Sequence, residues 1–387
     1  MRRNRLIFLF LWVASLVGIS FRGGPVSYGL FVFLTLLPVI SLIYLFSVFL
    51  AFKVYQHLEG RDLTAHHPHP FLFILENEFF FPFASVKVNL FSDYSTISGQ
   101  DDGAEYELFP HEGIRNEATI VCHYRGEYEV GVKSLEIVDF LRLFRLRYRN
   151  PSTMKVPVRP DLIRLSELHS VDIQLLNSLD SPLDDSIPDV IVRDYEPGDD
   201  IRHIEWKATA RSRELKTRLR TGQTQQGIGI LMSTERNTQD ASVYLPTENK
   251  VLESALALSW YFAADHTPVT LGLLTGYWKK LTVDRPESFG EFYETVSSVV
   301  FSDLSTESLM LENALKDPAF YHCRIVFIVI RALTEDTLAA AEALNRANVS
   351  VVILKVTQDE KEKLPELALP RTQLLAVPTE AALEEVL

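Results

Sequence analysis

Two long apolar runs near the N-terminus dominate the hydropathy pattern. Residues 6–21 are apolar, and after a loop that contains Arg22 a second run without a charged residue covers residues 30–52. The second run forms about 35 Å of helix if it is helical, which exceeds a hydrocarbon core of about 30 Å. No small-residue cleavage site follows the first run, so it is not typical of a signal peptide. The pattern predicts two transmembrane helices within residues 1–55.

The charges that flank these runs predict their orientation. Arginines precede the first run, and Lys53 and Arg61 follow the second. Because cytoplasmic flanks carry an excess of Lys and Arg, we expect both ends of the hairpin in the cytoplasm. The chain is therefore predicted to be a multi-pass cell-membrane protein with cytoplasmic soluble domains.

Residues 56–70 are predicted to form a juxtamembrane linker. They contain His66, His67 and His69, and closely spaced histidines suggest a metal site. Pro68 and Pro70 restrict the backbone there, and no cysteine lies nearby. We therefore favour a spacer over a metal site.

The middle of the chain has a strand-like pattern. Short runs such as residues 83–90, 117–122 and 128–132 are separated by polar turns. This spacing predicts an antiparallel β-sandwich over residues 71–160. Residues 161–190 are acidic, contain two prolines near their end, and are predicted to be a connector.

The C-terminal half alternates between helical and strand-like patterns. Helical spacing appears at 248–264, 286–300, 307–315 and 335–347, and strand-like runs at 227–232, 269–274, 324–330 and 349–356. Such alternation predicts a mostly parallel sheet with helices on both faces. The predicted fold class is α+β multidomain: a two-helix membrane hairpin, an antiparallel β-sandwich and an α/β domain.

A densely charged stretch separates these two soluble regions, at residues 192–220. Pro197-Gly198 predicts a tight turn, after which Asp199 or Asp200 caps a short helix. From Glu214 onward the apolar period becomes two, which predicts a half-buried strand. Its outer face is basic and carries Lys216, Arg218 and Arg220.

The same stretch resembles the signature of a bacterial family, the domain of unknown function 58 (DUF58). The matching residues are Arg193-Asp194-Tyr195, Pro197-Gly198-Asp199-Asp200, Arg202, Ile204-Glu205-Trp206-Lys207-Ala208 and Ala210-Arg211. Upstream, Arg125-Gly126-Glu127-Tyr128 and Asp139-Phe140-Leu141-Arg142-Leu143-Phe144 resemble further family elements, although Phe140-Leu141-Arg142 replaces the usual Pro-Phe-Gly of a tight turn. The resemblance implies that residues 191–387 hold this signature and a von Willebrand factor A-like, Rossmann-type domain.

The resemblance also points to a metal position. Von Willebrand factor A-like domains often bind a divalent cation through Asp-x-Ser-x-Ser after the first strand and a later Asp. Here Ser233-Thr234-Glu235-Arg236-Asn237 follows that strand, and Arg331 follows a later one. Hard cations need several carboxylate or carbonyl oxygens, and arginine opposes them. We therefore expect no metal or cofactor.

Other chemistry has weaker support in the sequence. Cys122-His123 and His322-Cys323 each place a thiol beside an imidazole, but neighbouring residues of a strand point to opposite faces. His203 has a suitable pKa range for proton transfer, yet packing beside the predicted helix is favoured. No phosphate-binding glycine loop occurs, and a net charge of −13 argues against nucleic acid as a partner.

Two functions remain open. The first is a membrane-anchored adaptor or scaffold without enzyme activity. The resemblance implies as its partners a MoxR-type AAA+ ATPase and a transglutaminase-like membrane protein, in envelope protein assembly. The second is an uncharacterised hydrolase or metal-dependent enzyme that uses carboxylates of the signature.

The signature residues have correspondingly two interpretations. For Asp199, Asp200 and Trp206 we favour a structural role, in which Trp206 packs between domains. Lys216, Arg218 and Arg220 are candidates for docking a partner, because Arg is enriched at interface hot spots. The same basic face would also suit anionic lipid.

Overall fold

The chain forms two compact units, Met1–Asp161 and Leu162–Leu387. The computed structural model describes residues 1–60, 62–99, 101–150, 153–172, 192–194, 206–212, 214–218, 227–359, 364–365, 367 and 369–387. Each unit has its own hydrophobic core.

The N-terminal unit begins with a helical hairpin, α1 (Arg2–Arg22) and α2 (Pro25–Ala51). Trp12 of α1 donates a hydrogen bond to the Thr35 hydroxyl of α2 over 3.1 Å. Gly23 ends α1 in the left-handed region, which glycine adopts at low cost. Both helices are long and apolar enough to cross a membrane, as predicted. Helix α1 extends beyond the predicted span 6–21 at both ends, and α2 begins before the predicted span 30–52 and ends at Ala51.

The described residues of this unit then form eleven strands. They are β1 (Phe52–Leu58), β2 (Leu63–Thr64), β3 (Pro68–Asn77), β4 (Phe83–Leu90), β5 (Ser95–Ser98), β6 (Ala104–Leu108), β7 (Gly113–Cys122), β8 (Gly126–Val130), β9 (Val132–Val138), β10 (Arg145–Arg149) and β11 (Met154–Arg159). Strand β1 continues directly from α2 and pairs with β3. The linker predicted over residues 56–70 is therefore wrong, because most of these residues form parts of β1, β2 and β3.

Two antiparallel sheets share the core of the β region. Their strand orders are β1-β3-β7-β5 and β10-β9-β4-β6, and a smaller sheet has the order β2-β11-β8. Alternate residues of the central strands point inward, including Phe73 of β3, Val86 of β4 and Leu135 of β9. This alternation is the pattern that predicted antiparallel sheets, and the prediction is confirmed.

A tight turn joins β9 to β10, although it lacks the glycine usual in the resembling family. The amide of Arg142 donates to the carbonyl of Asp139 over 2.9 Å. Arg142 takes a φ of 54°, in the left-handed region that favours glycine. The carboxylate of Asp139 stabilises the turn by accepting hydrogen bonds from the amides of Leu141 and Phe144, at 3.2 and 2.6 Å.

The C-terminal unit contains a six-stranded sheet. Its elements are β14 (Ile228–Met232), α4 (Ala241–Ala264), β15 (Val269–Leu274), β16 (Trp278–Val283), a 3-10 turn (Pro286–Ser288), α5 (Phe289–Ser297), α6 (Glu307–Lys316), α7 (Pro318–Tyr321), β17 (Ile325–Ile330), α8 (Glu335–Arg346), β18 (Ser350–Thr357), β19 (Thr372–Pro378) and α9 (Leu383–Val386). The strand order is β16-β15-β14-β17-β18-β19. All neighbours are parallel except β15 and β16, so the predicted mostly parallel sheet is confirmed.

Helices cover both faces of this sheet. One face packs against α4 and α5, with Leu252 and Phe292 in its core. The other packs against α6 and α8, with Met310 and Leu344. The edge strands β16 and β19 were missed, because they mix polar and apolar residues and lack the continuous apolar run of a central parallel strand. Helix α4 begins before the predicted residue 248, since Asp240 caps it by accepting the amide of Ser242.

Part of the predicted connector belongs to this second core. Leu165, Leu168 and Val171 are buried against the β14 face of the sheet. The amide of Asp172 also donates to the side chain of Gln373 in β19 over 2.8 Å. These residues thus pack in the C-terminal unit, and the remainder of the predicted connector lies outside the described residues.

Candidate functional site

The strand order creates one crevice where binding sites of open α/β sheets usually form. The chain enters the sheet at β14, adds β15 and β16 on one side, and returns to place β17 on the other side. The connections leaving β14 and β17 therefore diverge at the carboxyl ends of these strands. In open α/β sheets, ligands bind at such a switch point.

Residues that follow β14 are tied tightly into this crevice. Ser233 and Thr234 are buried, and the Thr234 hydroxyl donates to the carbonyl of Leu274 at the end of β15. Glu235 accepts a hydrogen bond from the amide of Glu307 over 2.9 Å. The carboxylate of Glu235 therefore caps the start of α6, where the amides of the first turn lack helical partners.

Glu307 is a buried carboxylate at the centre of the crevice. Its Oε1 accepts the amide of Arg331, the first residue after β17, over 2.8 Å. Burial raises the pKa of Glu307 above its ordinary range, and the Arg331 amide and the Ser233 hydroxyl act in the opposite direction. Glu307 thus ties the ends of β14 and β17 together through hydrogen bonds.

An ion pair occupies the position next to this carboxylate. Arg236 donates from Nε and Nη2 to the two carboxylate oxygens of Glu248 in α4, at 2.5 and 2.7 Å. Glu248 is 1% exposed, and the guanidinium also lies 4.1 Å from the ring centroid of Tyr244. Such a bidentate pair neutralises the buried charge of Glu248.

A polar pocket of about 460 Å³ opens beside the ion pair. Its lining is mostly hydroxyl, amide and cationic, and includes Thr238, Tyr244, Arg331, Lys355 and Gln358. Arg331 and Lys355 come from the ends of β17 and β18. Two cationic side chains and one carboxylate, that of Asp359, line the pocket, so it suits an anionic group more than a cation.

The donor set here does not match a divalent cation. In the portion of the chain that is described, no three His, Cys, Asp or Glu side chains are grouped as metal ligands would be. Glu235 and Glu307 are instead hydrogen-bonded to backbone amides, and Arg236 and Arg331 stand beside them. Residues 233–237 therefore form a network of hydrogen bonds and an ion pair.

The signature region contributes a small strand pair and a helix. Strands β12 (Val192–Asp194) and β13 (Lys216–Arg218) pair antiparallel, with Arg193 opposite Thr217. Helix α3 (Trp206–Ser212) lies between them in sequence. The amide of Lys216 donates to the Thr209 hydroxyl of α3 over 3.0 Å. These contacts support the predicted helix followed by a strand.

Trp206, Lys207 and Arg211 of this signature are exposed. Trp206 is 65% exposed within the described structure, and its packing between domains stays a prediction. None of the described residues of its helix is buried. Lys216 is only 22% exposed at its side chain, so it is less outward than the strand period predicts.

The other signature residues fall into two groups. Arg193 and Arg218 are described at their backbone, within β12 and β13. The remaining predicted positions lie outside the described residues: Tyr195, Gly198, Asp199, Asp200, Arg202, His203 and Arg220. The predicted cap by Asp199 or Asp200 therefore stays a prediction.

Both cysteines are buried in a core. Burial raises the pKa of the Cys122 thiol, and raises that of Cys323 to about 12. A thiol with such a pKa is protonated near neutral pH and is a weak nucleophile. The structure thus gives both residues the packing role that the sequence analysis favoured.

The three clustered histidines make separate contacts. His67 lies 3.1 Å from a carboxylate oxygen of Asp161, and His69 accepts the amide of Thr64 over 3.1 Å. His66 has a φ of 62° and donates its amide to the carbonyl of Cys122. Their contacts therefore stabilise the turn between β2 and β3.

Sequence reasoning missed the buried acidic residues Glu248, Glu307 and Asp139. Glu248 was assigned to a helix and Glu307 to the start of another, with no role. For Glu307 the sequence held one clue, its place in the first turn of a predicted helix, where a carboxylate complements the helix dipole. No sequence period identifies which distant group such a carboxylate contacts.

Comparison with known proteins supplies one family match. Residues 191–373 match the family model described as "Protein of unknown function DUF58". No curated protein matches the chain. The match thus covers the signature and most of the α/β sheet.

Several solved structures of other proteins are similar to part of this chain. The FixG-related protein from Vibrio parahaemolyticus has 6% sequence identity and a TM-score of 0.21, with 28% of this chain and 96% of that chain covered. The cupredoxin domain of amoB from Nitrosocaldus yellowstonii has 8% identity and a TM-score of 0.21, with coverage of 30% and 96%. E. coli alpha-2-macroglobulin has 16% identity and a TM-score of 0.23, with coverage of 29% and 7%. At these TM-scores the similarities support no conclusion.

Proposed function

We propose that this protein, with a DUF58 region at residues 191–373, is a membrane-anchored adaptor. In this proposal α1 and α2 cross the cell membrane with both ends in the cytoplasm, and the soluble units dock a cytoplasmic partner. The partner proposed is a MoxR-type AAA+ ATPase, with a transglutaminase-like membrane protein as a second associate. The process served is envelope protein assembly.

The observation that carries this proposal is the chemistry of the crevice. We interpret the C-terminal unit as a von Willebrand factor A-like domain, whose ligand position corresponds to the carboxyl ends of β14 and β17. At that position Arg236 pairs with Glu248, and Glu235 and Glu307 accept backbone amides. Glu235, Glu248 and Glu307 are thus each committed to a structural contact, which supports binding over metal-dependent catalysis.

The proposed docking surface is the basic face around β13. It consists of Lys216, Arg218 and Arg220 as the sequence pattern predicts them, and the proposal adds Trp206 and Arg211 of α3, which are both exposed. Tryptophan and arginine are the residue types most enriched among interface hot spots. A ring that is 65% exposed is also a ready apolar anchor for a partner.

A charge-reversal experiment tests the docking surface. The full chain and a variant with Lys216, Arg218 and Arg220 changed to Glu would be solubilised in detergent and used to co-purify cellular proteins. A matched control changes Arg285, Lys316 and Arg346 to Glu, since these side chains are 71%, 68% and 75% exposed in the same unit. Circular dichroism checks that all three proteins are folded.

We expect an AAA+ ATPase to co-purify with the native chain and the control, and to be lost with the docking variant. Loss in both variants would indicate an effect of net charge alone, and recovery with all three would refute this docking surface. If no preparation recovers an ATPase, the adaptor proposal itself fails. Direct assays with Asp199 or Asp200 changed to Asn then become the test of the enzyme alternative.

A further inference from the structure

Loops of the β region pack against one side of the last third of α2, through Ser41 and Tyr44. The hydroxyl of Tyr44 donates to the carbonyl of Pro82 over 2.8 Å and accepts the amide of Ala84 over 2.9 Å. The Tyr44 ring lies 5.3 Å from Phe140 and 5.6 Å from Phe81. Ser41, one turn earlier, donates to the buried Asp139. From Ser41 onward, α2 is therefore packed against protein on this side.

Helix α1 meets the same loop near its start. The side chain of Asn4 donates to the carbonyl of Leu141 over 3.2 Å, and Nε of Arg5 donates to the carbonyl of Leu143 over 2.7 Å. Both helices thus pass the turn that follows β9 at one level, defined by Arg5 on α1 and Ser41 on α2. This level marks where the polar β region begins.

Between this level and the loop that joins α1 to α2, the hairpin is short for a membrane span. Residues 6–21 and 25–40 each give about 24 Å of helix, whereas the hydrocarbon core is about 30 Å thick. Large apolar side chains along both segments are exposed, including Phe10, Phe21 and Phe33. To cover these two exposed segments, lipid must reach at least the level of Arg5 and Ser41; exposed apolar residues of α2 continue past it, at Ile43 and Phe46. The adjoining edge of the β region then lies at the bilayer surface.

Three exposed phenylalanines lie on loops at this edge. Phe80, Phe109 and Phe140 are 77%, 67% and 47% exposed, and we call them the aromatic rim. The ring of Phe80 is 5.4 Å from that of Phe81, which contacts Tyr44. Large exposed apolar residues that adjoin one another mark interaction sites.

A buried asparagine holds two of these loops together. Asn77 is 2% exposed, and its side-chain amide donates to the carbonyls of Phe81 and Phe109 at 3.0 and 2.9 Å. Its Oδ1 accepts the amide of Phe79 over 2.9 Å. The rim is therefore built on loops with fixed hydrogen bonds, adjoining the lipid-facing helices.

We propose that the aromatic rim inserts into the lipid interface and holds the β region against the membrane. The inference rests on the proposed anchoring by α1 and α2. Continuity with the exposed apolar side chains of the hairpin identifies the occupant as the acyl-chain boundary of the bilayer. Arg142 lies in the same loop as Phe140, is 59% exposed at its side chain and lies 3.7 Å from a carboxylate oxygen of Glu105. A cation at the bilayer surface attracts anionic lipid.

Depth measurements on the full chain in vesicles test this inference. Single cysteines replace Phe80, Phe109 or Phe140 and are labelled with a nitroxide, and the native thiols stay unlabelled because both are buried. The matched control is Glu59→Cys, at the opposite end of β1 and about 23 Å along the strand from Phe52. The vesicles contain phosphatidylethanolamine and phosphatidylglycerol. Relaxation by oxygen, which concentrates in lipid, is compared with relaxation by a water-soluble nickel chelate.

We expect oxygen to relax the three rim labels more than nickel does, and the reverse at position 59. Nickel-dominated relaxation at all four positions would overturn the inference. Protection of the rim labels from both reagents would also overturn it, because a protein partner or a second copy would then cover the rim. Flotation of the vesicles separates the two proposals. Protein that does not float with the vesicles refutes anchoring by α1 and α2. Protein that floats but has water-exposed rim labels refutes only the insertion of the aromatic rim.

Discussion

Changing Asp139 to Ala tests how the helical hairpin is joined to the β region. Asp139 is 1% exposed and accepts hydrogen bonds from the Ser41 hydroxyl and from the amides of Leu141 and Phe144. Alanine leaves these donors without their acceptor in a site that water does not reach. A buried donor without a partner costs about 1–3 kcal/mol.

The expected loss of stability follows from these contacts. The amide of Phe144 is the better of the two backbone donors, at 2.6 Å against 3.2 Å for Leu141. The Ser41 hydroxyl is buried in the middle of α2. Counting mainly the Phe144 amide and the Ser41 hydroxyl gives a loss of about 3–5 kcal/mol in the free energy of unfolding. The population of molecules with an unfolded β region then rises about a hundredfold or more.

The two native cysteines allow each unit to be followed separately. Cys122 lies in the core of the β region, and Cys323 in the core of the C-terminal unit. Burial and a raised pKa make both thiols unreactive in the folded chain. Labelling with a thiol reagent in dilute urea, read by peptide mass spectrometry, therefore reports the unfolding of each unit.

We expect Asp139→Ala to speed the labelling of Cys122 by about a hundredfold or more and to leave Cys323 unchanged. The matched control is Asp102→Ala, because the exposed Asp102 also accepts a backbone amide, that of Leu90, over 2.8 Å. An exposed hydrogen bond of this kind contributes about 0.5–1.5 kcal/mol. If both variants speed the labelling of Cys122 equally, the buried contacts do not hold the hairpin as argued.

Three further predictions concern single side chains. Arg236→Ala leaves the buried Glu248 without its cation and should destabilise the C-terminal unit by about 3–5 kcal/mol, whereas Arg236→Lys should cost less. The rate at which Cys323 is labelled measures both effects. Burial raises the pKa of Glu307, so the folded state binds the proton of this carboxyl more tightly than the unfolded state does. Protonated Glu307 therefore stabilises the folded state below the ordinary pKa of a glutamate, and this contribution is lost as the pH rises through the raised pKa. Glu307→Gln should therefore flatten the fall in urea midpoint over the acid to neutral range, followed by tryptophan fluorescence, and an unchanged slope would contradict the assignment. Arg142→Gly should stabilise the β region by about 0.5–1 kcal/mol by relieving a left-handed φ, seen as slower labelling of its thiol.

The fold was predictable from sequence wherever a local period was strong. The uncharged runs of the hairpin and the buried strands such as Ile325–Ile330 carry long stretches of one pattern. Burial on both faces makes a central parallel strand continuously apolar, so its position is clear without knowledge of its neighbours. The edge strands β16 and β19 have mixed patterns and were missed.

Contacts between distant residues could not be predicted in this way. Residues 56–70 look like a linker because of their prolines and histidines, yet Leu63 is fully buried, and β1 and β3 pair along their length. Likewise, Glu248 is one acidic residue within a predicted helix, and only the tertiary fold places it against Arg236. The secondary-structure propensity of a segment depends on its local sequence. The strand pairing and the ion pair depend instead on which residues distant in the sequence come together in the fold.

The turn after β9 shows how such a contact replaces a local signal. The resembling family places Gly where this chain has Arg142, and the missing glycine argues against a tight turn there. The turn nevertheless forms, because the buried carboxylate of Asp139 accepts two amides within it and the hydroxyl of Ser41 from α2. A left-handed arginine costs about 1–2 kcal/mol, which these charge-assisted hydrogen bonds offset. The same carboxylate thus fixes the turn and fastens the hairpin, so the glycine is dispensable only while Asp139 stays buried beneath α2.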